Sequence, residues 1–177
     1  MTGDILLLAG PAGAGKSTVA RLWCGTRGTA AHVQLDHVNE LIVAGRVDPR
    51  EVDHPHQARQ RVASVAATCA LVRAYAESGI DVAVDDVLPP DDATNEWLPR
   101  LSGLPMRLVV LLPSVETCLA RGVGRGKDVP DHLVREHHEA SRRWDQARRL
   151  HTDGETSEQT LAALLDLLAA PASRWPG

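Results

Sequence analysis

Five apolar runs of strand length recur along the chain: DILLLA (residues 4–9), HVQLD (32–36), IDVAVDD (80–86), RLVVLLP (107–113) and RRLHTD (148–153). Helical patterns separate them. Val19, Leu22 and Trp23 fall at helical spacing after the first run. Between the second and third, Val62, Val65, Cys69, Val72 and Ala76 repeat at three or four residues, which predicts one long amphipathic helix. After the last run, TSEQ (156–159) has the Thr-x-x-Gln form of a capping box and leads into Leu161, Leu164, Leu165 and Leu168 on one face. Strands that alternate with helices predict an α/β fold, a five-stranded parallel sheet covered on both faces. At 177 residues the chain suffices for one good core and not for two, so 1–177 is expected to form a single domain.

In such a sheet ligands collect beyond the carboxyl ends of the strands, so polar residues at strand ends carry the most information. The first run leads into GPAGAGKST (10–18), where Gly10, Gly15, Lys16 and Ser17 satisfy G-x-x-x-x-G-K-[ST], the P-loop pattern. A strand before and a helix after are what this loop needs, because its backbone N–H groups and the positive helix end then converge on an anion. Gly10, Pro11, Ala12, Gly13, Ala14, Gly15, Lys16, Ser17 and Thr18 are therefore expected to cradle the phosphates of ATP, with Ser17 on the side of a Mg²⁺ ion. Of 17 Arg and 2 Lys, one of the two lysines is Lys16. A forked guanidinium substitutes poorly for a compact ammonium between terminal phosphates. Lys16 is expected to be an exposed loop cation. The competing reading is a Gly-rich turn with a chance Lys-Ser pair.

The third run ends in Asp85 and Asp86, the Walker B arrangement in which a carboxylate orients Mg²⁺ and its waters. Asp85 is the metal-side candidate and Asp86 the substrate-side one; the alternative for either is a cap before Pro89. Asp36 ends the second run in LDHVNELI (35–42), where it can cap a helix or accept the proton of an attacking hydroxyl. RGVGRGKD (121–128) carries Arg121, Arg125 and Lys127 among glycines. Segment 121–130 is expected to be a lid that closes over a phosphoryl group, the alternative being a plain basic helix C-terminus. VDPREVDHPHQ (47–57) reads as a mobile connection over the sheet edge, and region 37–60, with Asn39 and Arg59, is expected to bind the acceptor together with Asp36 and Asp86.

A net charge of −4 and a pI near 6.0 leave no electrostatic footprint for nucleic acid or an anionic membrane. With one Tyr and no Phe, stacking platforms for single strands are scarce and the core is expected to be built from Leu, Val and Ala. ILLLAG lacks the basic start and the length of a signal peptide, and no other apolar run approaches membrane-spanning length, so the expected location is the cytoplasm. Cys24, Cys69 and Cys118 are expected to be reduced core thiols. The histidines lack metal-site spacing, since HHEASR (137–142) is not H-E-x-x-H.

The P-loop, Asp36 after the second strand, VDD at the third, the Arg-containing lid and the final TSEQTLAALL together resemble the small P-loop kinases. The resemblance implies a three-layer P-loop NTPase fold of the nucleoside-monophosphate-kinase type. In length, and in LDHVNELI and VAVDDV, the chain is similar to chloramphenicol phosphotransferase and its relatives, and more distantly to shikimate, gluconate and adenylate kinases. It implies ATP-dependent transfer of a γ-phosphoryl group to the hydroxyl of a small molecule such as an antibiotic, with Asp36 as general base and Arg121 and Arg125 as lid arginines. Motor ATPases usually have Glu where Asp86 stands, which argues against simple hydrolysis. Three alternatives stay open: a nucleoside monophosphate or metabolite kinase using Arg46, Arg59 or Arg61 to grip an acceptor phosphate, a kinase-toxin resembling the zeta family, and a nucleotide-gated switch, against which stands the absence of Asn-Lys-x-Asp.

Overall fold

The computed structural model describes residues 1–51, 53–122, 129–145 and 147–170. β1 (Ile5–Ala9), β2 (Ala30–Gln34), β3 (Asp81–Asp85), β4 (Met106–Leu111) and β5 (Arg148–Leu150) form one parallel sheet in the order β2-β3-β1-β4-β5. Alternate residues of the central strands feed two cores. Ile5, Leu7 and Ala9 of β1 join Val82, Val84, Leu108 and Val110 on one face, and Leu6 and Leu8 join Ala83, Val109 and Leu111 on the other. A strand buried on both faces reads as an uninterrupted apolar run, which is why β1 and β4 are plain in the sequence.

On the first face lie α2 (Leu35–Glu40), α3 (Gln57–Glu77) and an irregular helical segment made of α4 (Pro90–Asp92), a π-helical turn (Ala93–Trp97) and α5 (Leu98–Leu101). On the second lie α1 (Lys16–Gly25) and α8 (Ser157–Ala169). α6 (Val115–Gly122) and α7 (Asp131–Arg142) complete the described helices. Thr156 caps α8, its hydroxyl accepting from Gln159 N while the Gln159 side chain accepts from Thr156 N, as TSEQ predicts.

Three expectations need correction. Val62 is 47% exposed; the buried face of α3 is Ser64, Val65, Thr68, Cys69, Val72 and Ala76. Small hydroxyls can enter a core when they bond locally, and Thr68 Oγ1 donates to Ser64 O at 2.8 Å. The cores are not Leu, Val and Ala alone, because Trp23, Trp97 and Trp144 are buried, Trp144 donating its Nε1–H to Leu88 O at 2.8 Å. β2 starts and ends two residues before HVQLD, so Asp36 belongs to α2 rather than to a strand end. Cys24, Cys69 and Cys118 are free thiols, the last two buried and pushed up to about 11 chiefly by that burial. Among the described residues no helix is long and apolar enough to cross a membrane.

Candidate active site

The loop from β1 into α1 is shaped by backbone that side chains would obstruct. Gly10, Gly13 and Gly15 have φ of 144°, 81° and 94°. A Cβ on Gly10 would stand 2.3 Å from Leu111 O, and one on Gly13 2.3 Å from Cys118 O. Gly13 occupies a variable position of the motif, and the close approach of α6 is what requires glycine there. We expect Gly13→Ala to weaken ATP binding by about tenfold or more, since the loop must shift to relieve both the clash and the φ. Calorimetric titration with ATP checks this, and an unchanged affinity would show the loop tolerates the methyl.

Lys16 opens α1 and is buried, not exposed as the sequence led us to expect. The loop folds round the side chain, whose Nζ donates to Gly10 O and Pro11 O, both at 2.9 Å. Burial lowers the Lys16 pKa, against the opposing pull of the Asp85, Asp86 and Asp36 carboxylates. Four groups from three segments are thus within electrostatic reach of each other.

β3 pairs directly with β1, setting Asp85 opposite Leu8 at the mouth of the loop. Ser17 Oγ donates to Asp85 Oδ2 at 2.7 Å, and His32 Nε2 lies 2.5 Å from Asp85 Oδ1. Burial raises the Asp85 pKa, but the His32 and Ser17 hydrogen bonds and the Lys16 charge outweigh it and hold the carboxyl below its usual range. An ionised acceptor requires that His32 donate from Nε2. His32 is legible in the sequence only as one polar residue in a strand; its role comes from the pairing of β2 with β3. A hydroxyl and a carboxylate beside a phosphate-binding loop are the hard oxygen donors that suit Mg²⁺. Among the described residues no three His, Cys, Asp or Glu side chains group as a metal cage, so an ion here would also draw on nucleotide phosphates and water.

Asp86 is 10% exposed, its N–H donates to Leu8 O at 3.2 Å, and its Oδ2 has no hydrogen-bond partner. Arg61 Nη2 is 3.7 Å from that oxygen but donates to Asp92 Oδ2 at 2.8 Å. Burial pushes Asp86 up to about 7, with Arg61 and Lys16 pulling down and Asp36 pushing up. The raised value carries a sign for stability. The native carboxyl, at about 7 against an ordinary 3.8, keeps its proton where the unfolded chain has lost it. Its stabilising contribution is therefore complete below about pH 4, falls as pH rises to about 7 and is level above that. In metal-chelated buffer Asp86→Asn, which mimics the neutral acid, should gain on the order of 2 kcal/mol near pH 8 and almost nothing near pH 4. Urea unfolding at the two pH values reads this, and an equal effect at both would contradict the burial argument.

Asp36 is exposed in the first turn of α2, whose N-cap is Gln34, so the capping alternative does not hold. Asn39 is buried, and its Oδ1 accepts from Ser64 Oγ at 3.2 Å, which ties α2 to α3. Arg59 and Arg46 are exposed. Arg121, in the last turn of α6, donates to Ala14 O at 3.4 Å, Thr152 Oγ1 at 3.3 Å, Thr152 O at 2.8 Å and Glu155 O at 3.3 Å. It clamps the P-loop to the segment before α8 instead of standing in a free lid. Arg125 and Lys127, with residues 123–128 of the segment expected to form a lid, lie outside the described residues. His137 of α7 was not anticipated: its Nδ1 is buried without a partner, and burial together with the Lys16 charge lowers its pKa. A cavity of about 370 Å³ bordered by Asp4, Ile5, Trp23, Arg27 and Leu165 lies at the amino ends of the strands, away from this constellation.

A P-loop between β1 and α1, a carboxylate on the strand paired to β1, and the order β2-β3-β1-β4-β5 define the P-loop kinase class of α/β fold. Residues 5–148 match the model of the AAA domain family, and the chain belongs to that family. Its fold is similar to that of the Deinococcus radiodurans tunicamycin resistance protein, at 14% identity and a TM-score of 0.72, over 98% of this chain and 99% of the other. A sugar kinase from a Janibacter species is similar at 18% identity and a TM-score of 0.69, over 97% and 98%. The Mycobacterium tuberculosis APS kinase, in complex with AMPPNP and APS, is similar at 18% and 0.64, over 96% and 99%. No curated protein matches the chain by sequence.

Proposed function

We propose that this protein is an ATP-dependent kinase that transfers the γ-phosphoryl group to a hydroxyl of a small molecule, in the manner of the chloramphenicol phosphotransferases that its sequence resembles. The observation that carries the proposal is the gathering of Lys16, Ser17, Asp85, Asp86 and Asp36 at one sheet edge, with a buried carboxylate oxygen of Asp86 left unbonded beside the P-loop. The tunicamycin resistance protein and the sugar kinase with this fold are in keeping with that reading.

ATP supplies the γ-phosphoryl group, and Ser17 and Asp85 are the residues that would hold a Mg²⁺ ion, which would offset the phosphate charge. Residues 10–18 hold the phosphates through backbone N–H groups and the start of α1. Lys16 exchanges loop carbonyls for phosphate oxygens, and His32 keeps Asp85 ionised and oriented. Asp36 takes the proton of the acceptor hydroxyl as its oxygen bonds to phosphorus and ADP departs. Asp86 orients the acceptor, and Asn39 sets the position of α2 through Ser64. Arg59 and Arg125 are assigned to the acceptor and to the closing lid. The proposed setting is the cytoplasm, where ATP is abundant.

The test is a screen of hydroxylated antibiotics, nucleosides and sugars with ATP and Mg²⁺, read by mass spectrometry. At least one compound should gain one phosphoryl group; ATP binding without modification of any class would count against the kinase reading.

A further inference from the structure

Fold neighbours of this chain include kinases named for acceptors with and without a charge of their own, so the acceptor class has to come from the residues of the site. Gripping an acceptor phosphate needs a cation with free donors. Arg61, the one arginine beside Asp86 among the described residues, is spent on carboxylates: it donates to Asp92 at 2.8 Å and faces Asp86 at 3.7 Å. Lys16 turns to the P-loop carbonyls. Asp36 adds a further negative charge that both Asp86 and Lys16 feel. Among the described residues Asp86 and Asp92 thus share one guanidinium, and an anionic group brought beside them would meet like charge.

The unbonded Oδ2 of Asp86 asks for the opposite. A carboxylate oxygen nine-tenths buried with no donor is costly to maintain, and an ammonium is the donor that satisfies it most strongly. We infer that the acceptor is a hydroxyl compound that also carries a protonated amine, an amino-alcohol or aminosugar, seated with its ammonium on Asp86 and its reacting hydroxyl toward Asp36. This rests on the kinase reading and narrows it, setting aside acceptors that bear a phosphate.

The experiment uses hexose, cyclitol and nucleoside scaffolds, each in amine-, hydroxyl- and phosphate-bearing form. Phosphoryl transfer from ATP is measured by mass spectrometry, and binding is measured by calorimetry in the presence of a non-hydrolysable ATP analogue. The expected result is a kcat/KM for an amine form at least about tenfold above its hydroxyl counterpart, with no transfer to the phosphate form. Asp86→Asn should abolish that preference through KM for the amine acceptor while leaving the KM for ATP unchanged. Arg61→Gln, which releases Asp92 and Asp86, should keep or raise it. Transfer to phosphate-bearing forms, equal use of amine and hydroxyl forms, or an unchanged preference in Asp86→Asn overturns the inference and leaves the kinase reading standing. Amine-selective binding, lost in Asp86→Asn, with no transfer to any scaffold supports the site and overturns the kinase reading instead.

Discussion

Lys16→Ala should lower kcat by about 10²-fold or more, a loss of roughly 3 kcal/mol of transition-state stabilisation. The ammonium is buried inside the loop it serves and bonds two of its carbonyls, so phosphates entering the loop meet it already desolvated and in place. Preorganised charge of this kind acts most strongly where charge develops during transfer. Truncation also removes a donor from Gly10 O and Pro11 O, but it relieves a buried cation, and these terms oppose each other. Stability should therefore change by no more than about 1 kcal/mol. Steady-state kinetics and thermal unfolding of the same preparation separate the two effects. Turnover close to wild type would remove the role given to Lys16.

Asp36→Asn should leave the fold and ATP affinity unchanged and lower turnover by about 10²-fold or more. Gln34 occupies the N-cap, and Asp36 favours α2 through the charge of a first-turn carboxylate. Losing that charge costs about 0.3–1 kcal/mol at most. The phosphoryl transition state is loose, so the hydroxyl proton leaves late and what matters is a carboxylate placed to receive it. Removing the Asp36 charge also removes one of the influences that raise Asp86, so any residual activity should reach its plateau at lower pH than in wild type. An Asn variant with wild-type kcat would move the proton acceptor to Asp86.

The fold was legible where burial and motif chemistry leave few options. Strands covered on both faces read as apolar runs, and the loop from 10 to 18 reads through residue identities that its backbone and phosphate chemistry demand. The α8 cap was legible because both partners of the box lie within four residues. Harder to read were contacts made by pairing distant segments. His32 meets Asp85 because β2 lies beside β3, Gly13 is needed because α6 presses on it, and Arg61 is held by Asp92 across 31 residues of sequence. On α3, Val62 satisfies a helical period as well as Ser64 does, and only tertiary packing decides that the hydroxyl goes inside. Residues 90–101, with prolines at 90 and 99, form a π-helical turn between two short helices, a break that the alternation of strands and helices does not reveal.

The most direct measurement of the central claim is the balance of products in one reaction with ATP, Mg²⁺ and an amine-bearing hydroxyl acceptor. If the protein is a small-molecule kinase, ADP and phosphorylated acceptor should appear one for one, inorganic phosphate should stay at background, and Lys16→Ala should abolish both products together. ADP accompanied by equimolar inorganic phosphate, with the acceptor unmodified, would instead make the protein a hydrolase and contradict the account.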